Sequence, residues 1–166
     1  PKVGYAVEGG YGSTQTSVVA ATATHPESAW PLLKRGEASQ AVKAFARAAT
    51  DAPDKVAPKV GYALASATSG DLKRGVWTMR RASRVDADAL HYLALDDDLD
   101  RIINRLIVDY SKAHADLSRQ DAAFMRASLY YLVRDVENAR LSLDRTDDQQ
   151  STRNLAGLIG EIDESS

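Results

Sequence analysis

From about Ala29 onward, apolar residues recur at steps of three and four, the spacing that gives an α-helix one dry face. The pattern is itself repeated. Gly36-Glu37 returns as Gly70-Asp71 after 34 residues. Ala41, Phe45, Ala48 and Pro53 follow the first glycine at steps of 5, 9, 12 and 17, and Gly75, Met79, Ala82 and Ala87 follow the second at the same steps. Small, large, small, stop describes a pair of short amphipathic helices written twice. A unit of this size cannot bury its apolar face alone, so its copies must stack. The pattern predicts an all-α chain, a short α-solenoid of antiparallel helix pairs.

Taken in order, the helical region opens near Pro26 and Ser28. Pro31 is tolerated best in a first turn, which predicts a short helix over Ala29 to Arg35. Ala38 to Thr50 forms its partner and stops at Asp51-Ala52-Pro53. Pro58 to Thr68 and Leu72 to Arg84 make the second pair, with Gly75 where the two helices touch and Trp77 packed between neighbouring helices. Leu99, Ile102, Ile103, Leu106, Ile107, Tyr110 and Ala113 mark the longest stripe, entered through Asp96, Asp97, Asp98 and Asp100. Carboxylates there suit the free N–H groups and the dipole of a helix start, and the spacing of a calcium loop is missing. Ser118 caps a helix to about Val133, Glu137 to Arg145 follows, and Thr152 to Ile162 closes the chain with Leu155, Leu158, Ile159 and Ile162 on one face.

Residues 1–25 break the pattern. Gly4, Gly9, Gly10 and Gly12 interrupt any helix, so this stretch is expected to be a flexible tail preceding a repeat domain over 26–166. Its first six residues, Pro1 to Ala6, are identical to Pro58 to Ala63. The chain begins at proline rather than methionine, which we read as processing or cloning having removed what came before.

Composition changes this picture little. The 166 residues are 44% hydrophobic and 27% charged with net charge −2, which supports a core and gives no electrostatic footprint for nucleic acid. Arg80, Arg81 and Arg84 are read as a solvated helix face. There is no cysteine, hence no disulfide, thiolate metal site or cysteine nucleophile. No apolar run is long enough to span a membrane. No phosphate loop or dinucleotide turn is present, so no cofactor is implied. His25, His91 and His114 lack the three- or four-residue spacing of helical ligand pairs, and His114 reads as a cation near a helix C-terminus.

The period, the glycine-acidic turn and the small-large step resemble the tetratricopeptide repeat family over roughly residues 28 to 150. A third unit, Ala122 to Thr146, is similar through Ala127, Tyr130, Ala139 and Leu143, with Arg134 replacing the turn glycine. Asp88 to Leu117 fits poorly. The chain as a whole is similar to bacterial repeat proteins with a glycine- and tyrosine-containing N-terminal segment, which implies an envelope, periplasmic or secreted setting. In the family, the first helix of each unit lines a groove that takes extended peptides. Carried over, the groove residues are Trp30, Leu33, Lys34, Val60, Leu64, Ala67, Thr68, Asp121, Phe124, Ser128 and Tyr131. Val60 and Leu64 stand where a carboxylate clamp would need polar residues, so the resemblance implies an apolar groove for a hydrophobic peptide, a helix or the chain's own tail. The expected function is a non-enzymatic interaction scaffold for a protein or peptide partner, with an accessory domain of a larger enzyme or a self-assembling homo-oligomer as alternatives.

Overall fold

The computed structural model describes residues 26–112 and 115–165. The expected tail, its duplicated hexapeptide, and the readings of His25, Ala113 and His114 lie outside the described residues. Those residues form eight helices and no strand: α1 Pro26–Lys34, α2 Ala38–Asp51, α3 Ala57–Thr68, α4 Leu72–Val85, α5 Asp97–Ser111, α6 Arg119–Leu132, α7 Val136–Leu143 and α8 Gln150–Glu164. The protein is all-α.

Three of the connections are the same turn. Gly36, Gly70 and Arg134 are the described residues with positive φ, at 83°, 103° and 64°. At each, the N–H donates to the carbonyl three residues back (Leu33, Ala67, Tyr131) and the next N–H donates to the carbonyl five back (Leu32, Ser66, Tyr130), at 2.9 to 3.0 Å. This is the Schellman closure, which satisfies the last free carbonyls of a helix by placing one residue in the left-handed region. Arginine holds the same conformation without glycine's freedom. The next helix is then capped by Asp71 accepting from Arg74 N–H and by Asp135 accepting from Asn138 N–H. Glu37 makes no such bond.

α1 begins earlier than expected, so Pro31 lies inside it. Pro31 is exposed, and its carbonyl still accepts from Arg35 N–H at 3.1 Å, so the ring forfeits only the one bond its own nitrogen cannot donate. The acidic entry to α5 works as a cap: Asp96 accepts from Leu99 N–H, with Asp97, Asp98 and Asp100 in the first turn. Ser118 caps α6 through Asp121 N–H.

Packing runs from α1 to α2, α3 and α4 in succession; α4 then meets α6 and α8, while α6, α7 and α8 pack on one another. One apolar cluster threads the whole set, from Ala29 and Leu33 through Phe45, Leu64, Met79 and Phe124 to Ile159. Two glycines let backbones close up. A Cβ at Gly61 would fall 2.2 Å from the Phe45 ring. One at Gly75 would fall 2.7 Å from Tyr110 Oη, 2.9 Å from Ala67 Cβ and 3.2 Å from the Ala63 carbonyl oxygen. Gly75→Ala should therefore lower stability by about 1–2 kcal/mol, because overpacking of up to roughly 3 kcal/mol outweighs the helix propensity gained. Urea unfolding would measure it, and an unchanged midpoint would show that α3 and α4 have slack there.

The junction between α4 and the C-terminal half is polar. Arg80 is 8% exposed, contrary to a solvated face, while Arg81 and Arg84 are exposed as expected. Its guanidinium donates to Asp121 Oδ1 (2.8 Å), Asp147 Oδ2 (2.9 Å), Ser151 Oγ (3.1 Å) and Thr152 Oγ1 (3.3 Å), and lies 4.3 Å from the Phe124 ring centroid. Beside it, Asn154 donates to the Ser83 carbonyl at 2.8 Å.

Candidate functional site

The helices expected to line a groove do share a neighbour, and it is α5. This helix packs against α1, α3 and α6. It buries Leu99, Ile103, Leu106, Ile107 and Tyr110, and the Tyr110 hydroxyl donates to the Leu72 carbonyl at 2.7 Å. At its start Lys34 pairs with Asp96, whose carboxyl is held below the usual range by that bond and by Leu99 N–H.

That placement changes what the expected site residues can do. Leu33, Leu64, Phe124, Ser128 and Tyr131 are all at most 1% exposed and present no surface to a partner. Phe124 lies under the Arg80 guanidinium, Ser128 Oγ donates to the Phe124 carbonyl at 3.0 Å, and the Tyr131 hydroxyl sits 3.5 Å from His91 Nδ1. Burial pushes the Tyr131 hydroxyl up, beyond the opposing effect of Arg134. Asp121 is engaged by Arg80. Trp30, Lys34 and Thr68 keep partial exposure. Trp30 packs edge-on against Phe45 with centroids 4.8 Å apart, and lines a cavity of about 650 Å³ with Val60, Tyr92 and Leu99. Thr68 Oγ1 donates to the Leu64 carbonyl at 2.7 Å, and a second cavity runs from Leu33 and Thr68 to Ile102 and Leu106. The helix 97–111, in the segment that matches the repeat worst, packs on the helices that carry these residues.

A different surface is open. Trp77 is 61% exposed rather than packed between helices. With Tyr62, Pro53, Ala46, Ala49, Thr50, Lys59, Thr78 and Arg81 it lines a cleft of about 380 Å³ formed by α2, α3, α4 and the turn after α2. The Arg81 guanidinium lies 5.6 Å from the Trp77 ring centroid, within reach of a cation–π contact. Lys59 Nζ donates to the Pro53 carbonyl at 2.6 Å. Thr78 Oγ1 is buried without a hydrogen-bond partner. The signal for this site was present in the sequence. The buried residues of α4 are Gly75, Val76, Thr78, Met79, Arg80, Ala82 and Ser83, and Trp77 falls off that face on the side of Arg81. The indole stands beside Tyr62 in the cleft instead of in the core.

Among the described residues no group of three or more histidine and carboxylate side chains is arranged to hold a metal, and no helix is long and apolar enough to cross a membrane. The described residues are thus all-α, with an open aromatic cleft at Trp77. The chain matches no family model, no curated protein and no solved structure.

Proposed function

We propose that the chain is a non-enzymatic protein-interaction scaffold, a short α-solenoid resembling tetratricopeptide repeats. Its antiparallel units are α1/α2, α3/α4 and α6/α7, with α8 as the terminal cap. The recurrence of one hydrogen-bonded turn at Gly36, Gly70 and Arg134 supports the repeat. The succession of packing contacts from α1 to α4 supports the stacking. In this reading the groove is taken by α5, and a partner docks instead at the Trp77 cleft. The observation that carries it is an indole 61% exposed beside Tyr62 in a formed cleft, since tryptophan and tyrosine dominate the energetics of docking surfaces.

The test compares Trp77→Ala with Trp30→Ala for capture of partners from lysate of the source organism, with thermal melts of both proteins. Trp77→Ala should keep its melting temperature and bind its partner at least about tenfold more weakly, as truncation of an interface tryptophan does. Trp30→Ala should chiefly lower stability, because Trp30 packs on Phe45. A partner retained by Trp77→Ala at wild-type strength overturns the docking assignment.

A further inference from the structure

We infer that the Trp77 cleft recognises an acidic peptide segment that inserts one apolar side chain between carboxylates. The inference rests on the docking reading above and deepens it by naming the partner's chemistry.

Charge comes first. Two cations, Lys59 and Arg81, line the cleft, and no acidic side chain does. Among the described residues neither cation meets a carboxylate: Lys59 donates only to the Pro53 carbonyl, and Arg81 faces the Trp77 ring. In a chain of net charge −2, two cations left unpaired on the walls of one aromatic cleft attract an anionic partner.

The second, independent observation is Thr78. Its residue is 6% exposed, it lines the cleft, and its Oγ1 has no hydrogen-bond partner. A buried hydroxyl left unpaired is costly, and a carboxylate or a peptide N–H entering the cleft would satisfy it. The apolar part of the ligand follows from Trp77, Tyr62, Pro53, Ala46 and Ala49, which offer no hydrogen-bonding side chain except the Trp77 indole N–H and the Tyr62 hydroxyl at the rings' rims. Because Trp77 remains largely exposed, the ligand must cover one wall itself, as an extended chain does and a compact small molecule does not. Two cations are too few for a nucleic-acid track, which needs a basic stripe following the phosphates.

The experiment uses the full chain, uniformly ¹⁵N-labelled, and follows the Trp77 indole cross-peak, assigned with Trp77→Phe. The probes are acetyl-Asp-Glu-Asp-Phe-Asp-Glu-Asp-amide, its Asn/Gln counterpart, the acidic peptide with serine in place of phenylalanine, and an oligothymidylate of similar length. The acidic phenylalanine peptide should shift the Trp77 peak saturably. The neutral and serine peptides should each bind at least about tenfold more weakly. Lys59→Glu with Arg81→Glu should cause a similar loss while the other cross-peaks keep their positions. Affinity should fall at about 1 M salt, where the screening length is about 3 Å. Equal binding of the neutral peptide overturns the inference and leaves an uncharged docking cleft standing. Tighter binding of the oligonucleotide, or no shift with any probe, overturns it as well. Failure of the underlying docking reading looks different, since Trp77→Ala would then retain its captured partner.

Discussion

Arg80→Met should lower stability by about 3 kcal/mol, near the lower end of what removing one partner from a buried ion pair costs. The guanidinium touches α6, the loop before α8 and α8 at once. Its loss leaves Asp147, whose side chain is 16% exposed, with the Thr152 hydroxyl and Gln149 as donors but no cation. Asp121 is 38% exposed and can turn to water, so Asp121→Asn should cost much less than Asp147→Asn. Burial by itself pushes the Asp147 carboxyl up, but the Thr152 hydroxyl, the Gln149 N–H and the Arg80 charge more than reverse it, leaving it below its ordinary value. The sign follows. A depressed native pKa gives stability that is complete above the unfolded value near 3.8 and is lost as pH falls through the lower native one. Wild-type protein should therefore lose stability more steeply below about pH 4 than Arg80→Met does. Urea denaturation across that range would measure both effects, and a variant that melts within a degree of wild type would show that the junction does not depend on Arg80.

Gly61→Val is the second large effect, expected at about 3 kcal/mol or more from overpacking. Three Phe45 ring atoms stand 2.2, 2.5 and 2.6 Å from where the new Cβ must go. The ring has no easy retreat, because Phe45 is fully buried and Trp30 packs edge-on against it. Gly61→Ala with Phe45→Leu should cost less than the sum of the two single changes, since the smaller side chain opens the space the methyl group needs. Additive losses would mean that the helices simply move apart.

Helix positions and turns were legible because they are local. Glycine spacing marked the first two Schellman turns, the four-residue steps marked the buried faces of α2, α4 and α8, and the side chains of Asp96 and Ser118 announced their own caps. Arg134 was recognised by its place in the repeat although its residue type hides the left-handed turn. What escaped was non-local. Arg80 looks like its neighbours Arg81 and Arg84, and only folding brings Asp121 and Asp147, 41 and 67 residues on, to its guanidinium. Leu33, Leu64 and Phe124 carried no mark separating an exposed position from a buried one, because that depends on packing between helices distant in the chain, as with Arg80 over Phe124. Trp77 was misplaced for the opposite reason: its size suggested burial, and its position on the helix was the better guide.

The seating of α5 bears on how the molecule comes apart. In a linear stack each element leans only on the next, so such arrays fray from their ends and tolerate loss of a terminal piece. Here residues 97–111 touch helices drawn from both halves of the chain, with Lys34 and Asp96 joined across 62 positions. Hydrogen exchange in α1 should track that in α5 and α6 rather than run ahead of it, so that the amino-terminal turn, nominally an end, opens only with the whole.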